Sequence, residues 1–185
     1  MQTRSHAFLR DTNRGFTLVE LIVCVAVLGA LLALAPSAYG EWMASQQLAN
    51  HARLLTETLE LARSEAIKHG YRVNLCKSLD GRRCNDRVGW DAGWVMFVDE
   101  NRDGEIEDDQ QIIQREGAAP AQITLAANQP VADYVSYTSL GHARLLSGAL
   151  QMGTFVVCKP GQNAIKVVLA HSGRARMEKT QERCA

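Results

Sequence analysis

The chain has 185 residues, 46% hydrophobic and 22% charged, with 14 Gly and 4 Pro. That suits one core plus an appendage and excludes a disordered, collagen-like or multi-span membrane chain. Twenty Lys+Arg balance twenty Asp+Glu, so a global polycation that coats nucleic acid is excluded.

The charge is uneven along the chain. Residues 99–116 carry eight acids against Arg102 and Arg115, a net of −6, whereas residues 142–185 carry seven Lys/Arg against Glu178 and Glu182, a net of +5. An anionic partner should therefore meet the C-terminal part.

Residues 1–15 hold Arg4, Arg10 and Arg14 against Asp11, and an unbroken apolar run of fifteen follows from Leu21 to Ala35. Counted from Phe16, the segment reaches about twenty residues, enough to cross a bilayer as a helix. The arginines hold their end in the cytoplasm, so the remainder is exported. A plain signal peptide cut near Pro36-Ser37-Ala38 is the simpler reading. Glu20 opposes it, because a lone carboxylate in hydrocarbon costs about 2.5–3.5 kcal/mol on insertion scales. A cut between Gly15 and Phe16 creates an α-amino group four residues from Glu20, and a neighbouring subunit's amine could then neutralise that carboxylate.

Gly15-Phe16-Thr17-Leu18-Val19-Glu20, set behind a basic leader and heading the apolar run, resembles the processing site of type IV prepilins and pseudopilins. The resemblance implies that a prepilin peptidase cuts after Gly15 and N-methylates Phe16, and that Glu20 serves assembly as the fifth mature residue. Removing residues 1–15 takes three Arg and one Asp, which leaves 17 basic and 19 acidic residues, a net of −2.

After Pro36, Leu48, Ala52, Leu55, Leu59, Ala62 and Ala66 recur at steps of three and four, one face of a helix. Gln46, Arg53, Glu57, Glu60, Arg63 and Lys68 form the other face, and Gly70 is the expected C-cap. Pro36 is expected to kink the helix rather than end it. Beyond Gly70 the period falls to two, and strands are expected at 71–76, 94–99, 112–115, 123–126, 134–138, 154–159, 165–170 and 174–179. One long helix followed by short strands implies an α+β fold with an antiparallel sheet system. Residues 117–132 form the softest stretch.

Within the strands, Gly89-Trp90-Asp91-Ala92-Gly93-Trp94-Val95-Met96-Phe97-Val98-Asp99-Glu100-Asn101-Arg102-Asp103-Gly104 resembles the GspH/FimT branch of minor pilins and pseudopilins. That branch implies a pilin-like fold, a long N-terminal helix packed on a small antiparallel β-sheet domain. The expected organisation is a leader at 1–15, the transmembrane and assembly half of the helix at 16–39, its amphipathic half at 40–70 and the β domain at 71–185.

Asp99, Asn101, Asp103 and Gly104 match the first half of a calcium-loop pattern, D-x-[DN]-x-[DN]-G. The twelfth position is Gln110 where a bidentate Glu is needed, so a hydrogen-bonded turn is expected and no metal site is assigned. Cys24 lies in the apolar run. Cys76, Cys84, Cys158 and Cys184 form an even set for an oxidising periplasm. Three connectivities are open; Cys76–Cys84 with Cys158–Cys184 is favoured. His51 and His69 are assigned to the helix surface, and His142 and His171 to separate segments. No catalytic motif or cofactor fingerprint is present.

Ser172-Gly173-Arg174-Ala175-Arg176 is the sharpest C-terminal feature. On a strand, Arg174 and Arg176 share a face about 6.5–7 Å apart, close to the phosphate spacing along a nucleic-acid strand. A charge-protected sheet edge is the alternative. The G-R-x-R spacing resembles the DNA-binding motif of the FimT group, which implies roles for Gly173, Arg174 and Arg176; Lys179 and Arg144 are added as neighbouring cations. The expected function is a minor pilin that captures double-stranded DNA non-specifically for uptake in natural transformation. The alternative is a minor pilin or pseudopilin that initiates assembly of a pilus or type II secretion pseudopilus without touching DNA. Expected partners are other pilins, prepilin peptidase, DNA and the inner membrane, which holds the chain by one pass before it joins the pilus. No cofactor is expected.

Overall fold

The computed structural model describes residues 15–184, apart from the side chains of 31–38. The leader arginines and Ala185 lie outside the described residues. The chain divides into two compact units, Met1–Glu41 and Trp42–Ala185. One helix, α1 (Leu18–His69), is assigned through both, and Pro36 does not end it.

Thr17 caps α1. Its hydroxyl accepts the Glu20 N–H at 3.3 Å, and its carbonyl accepts the Leu21 N–H at 3.2 Å. Thr17 and Glu20 stand at capping-box spacing, and the Glu20 charge lies in the first turn, where the helix dipole favours it. Phe16, Leu18, Val19, Leu21 and Ile22, all apolar, are exposed. Among the described residues no helix is long and apolar enough to cross a membrane. The expected 16–39 span includes residues 31–38, whose side chains lie outside the described ones.

In the second unit the helical stripe is buried as its spacing predicts. Leu48, Ala52, Leu55, Leu59, Ala62 and Ala66 are each at most 2% exposed, and each buried Leu contributes about 1.5–3 kcal/mol. The stripe is wider than its apolar residues. His51 and Thr58, seven positions apart, are also buried. The Thr58 hydroxyl donates to the Leu54 carbonyl at 2.8 Å. The surface placement expected of His51 is therefore corrected: position 51 lies three residues after Leu48 and four before Leu55, on the stripe itself. Its ring packs 5.7 Å from that of Trp94.

Eight strands follow: β1 (Arg72–Lys77), β2 (Trp94–Asp99), β3 (Ile112–Glu116), β4 (Thr124–Ala127), β5 (Tyr134–Tyr137), β6 (Gly153–Cys158), β7 (Asn163–Leu169) and β8 (Ala175–Arg183). They form two four-stranded antiparallel sheets, ordered β3-β2-β1-β5 and β4-β6-β7-β8. The chain crosses from the first sheet to the second for β4, returns for β5, and stays in the second from β6 onward. One core joins the helical stripe to Val73, Leu75, Trp94 and Val135 of the first sheet and Phe155, Val157, Val167 and Leu169 of the second.

The G-W-x-x-G-W run builds the seam between the sheets. Trp90 is buried edge-on against Phe155 at 5.3 Å, and its indole N–H donates to the Val131 and Ala132 carbonyls. Gly93 turns the chain into β2 at φ +113, with the Glu116 carbonyl filling the space of a side chain. Disulfides join Cys76 to Cys84 and Cys158 to Cys184. The second ties the end of β6 to the residue after β8.

Candidate nucleic-acid interface

The G-R-x-R segment closes the β7–β8 hairpin. Leu169 pairs with Ala175 and Val168 with Arg176. The Ala170 N–H donates to the Arg174 carbonyl at 3.0 Å, and the Gly173 N–H to the Ala170 carbonyl at 2.8 Å. Alternation along this ladder turns Ala175 and Met177 toward the core and leaves Arg174, Arg176 and Glu178 exposed. The two arginines thus share one outward face, as their spacing predicts.

Two contacts fix the hairpin tip to the rest of the unit. Glu60 Oε1 accepts the Ala175 N–H at 2.8 Å. Gly173, at φ +84, lies against the Gly141 carbonyl and the Tyr137 ring, leaving no room for a Cβ. That same Gly141 carbonyl accepts from Arg63 Nε at 3.0 Å, and Arg63 lies 3.8 Å from Glu60. Gly173 is therefore a packing residue in the motif. Glu60 and Arg63, on the face of α1 other than the apolar stripe, both serve the hairpin: Glu60 bonds it directly, and Arg63 holds the Gly141 carbonyl that packs on Gly173.

Electrostatically the face is moderate. Arg176 Nε donates to Glu178 Oε1 at 2.8 Å, and Lys166 Nζ lies 3.0 Å from Glu182 Oε1. Arg174, Arg176 and Lys166 against Glu178 and Glu182 leave a net of +1. Arg174 keeps its guanidinium exposed beside that pair.

The other two expected cations are not gathered here. Lys179 pairs in register with Ile165, in line with Met177 and Ala175, so it projects from the opposite face of β8 to Arg174 and Arg176. There it lines a hollow with Ser45, Leu48 and Ala49 of α1. Arg144 lies beside β5, in the other sheet's half. Its N–H donates to the Ser136 carbonyl, and its own carbonyl accepts from Arg72 Nη1 at 2.9 Å.

The acid-rich 99–116 segment connects β2 to β3 in the first sheet, apart from the hairpin. Asp99, 1% exposed, is its hub, accepting from the Arg102 and Gly104 N–H groups and from Asn74 Nδ2. Asn101 and Asp103 accept N–H groups two residues ahead. The segment is a hydrogen-bonded turn, and among the described residues no group of three or more His, Cys, Asp or Glu side chains is arranged to hold a metal.

Two family profiles match the chain: one described as type II transport protein GspH, over residues 51–173, and the prokaryotic N-terminal methylation motif, over residues 10–36. The first ends at Gly173, so both arginines lie beyond it. Pilin-like protein PilA1 of Thermus thermophilus is 28% identical over 179 residues, covering 90% of this chain and 99% of that protein. Type IV major fimbrial protein FimA of Dichelobacter nodosus is 32% identical over 81 residues, 44% of this chain; the chain spans about half, 48%, of that relative. The type IV minor pilin FimU of Pseudomonas aeruginosa superimposes with a TM-score of 0.57 at 19% identity, covering 75% of this chain and 96% of that one, a likeness of fold.

Proposed function

The chain belongs to the GspH family of type IV minor pilins and pseudopilins and carries their N-terminal methylation motif, and from that premise we propose that it is a minor pilin that binds double-stranded DNA without sequence preference for uptake in natural transformation. Members of the family are structural subunits that associate with other pilins in a membrane-anchored filament. In this reading prepilin peptidase cuts after Gly15 and methylates Phe16, the inner membrane holds the chain before assembly, and Glu20 draws the amine of an adjoining subunit.

The observation that carries the DNA reading is the pair Arg174 and Arg176 on one exposed face of a hairpin whose backbone is pinned by Glu60 and Gly173. Guanidinium groups at this spacing can each take a phosphate oxygen pair. Few phosphates are neutralised, so one subunit binds weakly and several acting together bind tightly.

The test is fluorescence anisotropy of a labelled duplex against the full chain in detergent. Arg174→Ala with Arg176→Ala should lose most of the binding, while Lys179→Ala, on the other face, should change little. Equal binding by wild type and the double variant overturns the assignment.

The neutralising pairs Arg176–Glu178 and Lys166–Glu182 favour a second reading, in which the subunit initiates a pilus or secretion pseudopilus and never meets DNA. No binding by wild type, together with filaments lost on Glu20→Ala, selects it.

A further inference from the structure

The outer face of the first sheet carries a second, smaller core of Cys76, Val95 and Phe97, with Ile106, Ile112 and Tyr134 packed against it. A cavity of about 180 Å³ opens there, walled by Phe97, Tyr134, Leu146 and the Cys76–Cys84 bridge. Asn74 lines the same cavity. It is 2% exposed, and its Oδ1 accepts no hydrogen bond from the protein.

Rotating the amide cannot cure this. Asn74 Nδ2 donates to Asp99 Oδ2 at 2.6 Å. Asp99 also accepts backbone N–H groups at 2.7 and 3.2 Å, so it is an acceptor-only carboxylate that requires the NH₂ end of the amide. Oδ1 must therefore face away from Asp99. A buried acceptor left without a donor is costly and uncommon in native proteins, so the site asks for an N–H or O–H.

The surroundings select a charged donor. Asp86 and Asp133 line the cavity. The adjoining hollow shares Cys84, Asp86 and Gly104, and adds Asp103, Glu105 and Arg83. Lys77 Nζ sits 2.8 Å from Asp133. Four carboxylates against Lys77 and Arg83 leave a net of −2, beside apolar walls that fit an aliphatic stem.

We propose that this cavity receives a lysine or arginine side chain from a neighbouring subunit of the filament. The stem packs against Phe97, Tyr134 and Leu146. The cationic head donates to Asn74 Oδ1 and is drawn by Asp86. The volume suits one side chain rather than a larger organic ligand. The proposal rests on the association of family members with other pilins, and it is independent of DNA binding.

The test titrates the full chain, ¹⁵N-labelled in detergent micelles, with N-acetyl-lysine-N′-methylamide, its arginine counterpart and the neutral norleucine counterpart. At millimolar probe, a basic compound should shift the Asn74 side-chain NH₂ signals and the Tyr134 amide saturably, and norleucine should bind at least tenfold more weakly. Asp86→Lys, on an exposed position, should weaken binding at least fivefold, and Leu146→Trp should abolish it by filling the space. The proposal is overturned if neither basic probe gives a saturable shift, if norleucine binds equally, or if both variants bind like wild type. Putrescine binding more tightly than the capped lysine would instead assign the site to a free amine, overturning the subunit as the source.

Discussion

Glu60 and Ala175 stand 115 residues apart in sequence, yet the Glu60 carboxylate accepts the Ala175 N–H at 2.8 Å. This bond joins the amphipathic half of α1 to the strand residue between the two arginines. A helix side chain thus holds the backbone of the candidate interface.

Replacing Glu60 by Ala should leave that N–H without its acceptor. Water reaches the 42%-exposed carboxylate, so the cost should sit near the low end of the range for a lost partner, about 1 kcal/mol. Hydrogen exchange should report it directly, with the Ala175 amide exchanging several-fold faster, and Glu60→Gln, which keeps an acceptor oxygen, should recover part of the protection.

Gly173→Ala should be more damaging than either arginine substitution. It forces a Cβ into the Gly141 carbonyl at a φ of +84. Destabilisation of about 2 kcal/mol or more is expected, combining backbone strain with overpacking, and a lowered urea midpoint should reveal it. Arg174→Ala and Arg176→Ala, both on exposed positions, should leave that midpoint within about 0.5 kcal/mol of wild type. Loss of DNA binding in Gly173→Ala therefore has to be read beside its stability.

The two disulfides should differ in worth. Cys158–Cys184 closes a loop of sequence separation 26, and Cys76–Cys84 one of 8. Loop-closure entropy assigns about 3.5 and about 2.5 kcal/mol respectively. Paired Cys→Ser variants should lose stability in that order in denaturant melts.

His51 should make stability depend on pH. Burial lowers its pKa below 6.5, with nearby Asp91 opposing in part, so the folded state holds it neutral while the unfolded chain takes up a proton. Its contribution is fully present above about pH 6.5 and is lost progressively as pH falls through that value toward the lower folded one. Comparing wild type with His51→Phe between pH 7.5 and 5 should show a steeper loss in wild type; parallel slopes would exclude this role.

DNA capture through the arginine face should be salt-sensitive. Each phosphate contact contributes about −0.9 to the slope of log affinity against log salt. Removing both arginines should flatten that slope by about 1.8, read from anisotropy titrations at several ionic strengths.

Local periodicity made much of this fold legible. The stripe from Leu48 to Ala66 is a helical pattern that only burial explains, and each of the eight strands overlaps a run of period two or a short apolar run. The favoured cysteine pairing is also the one formed. Pairing between distant strands leaves no such trace, so the division into two sheets, with β5 returning to the first, was not readable. His51 and Thr58 escaped because a polar residue at a stripe position looks like solvent-facing chemistry. Lys179 neighbours the arginines in sequence but not in space: its odd separation from Arg174 and Arg176 puts it on the other side of a strand. Glu60 and Arg63 offer no such signal, because a charged residue that bonds a remote backbone N–H or carbonyl has the same sequence signature as one that faces water.

Because main-chain hydrogen bonds, the Glu60 carboxylate and one glycine hold the β7–β8 tip, its outward side chains carry little of the scaffold's stability. The turn can serve as a display platform. Exchanging residues 174 and 176 for acids, aromatics or metal-binding groups should retarget the subunit while its shape stays unaltered, and related chains could diverge in what they touch by the same route.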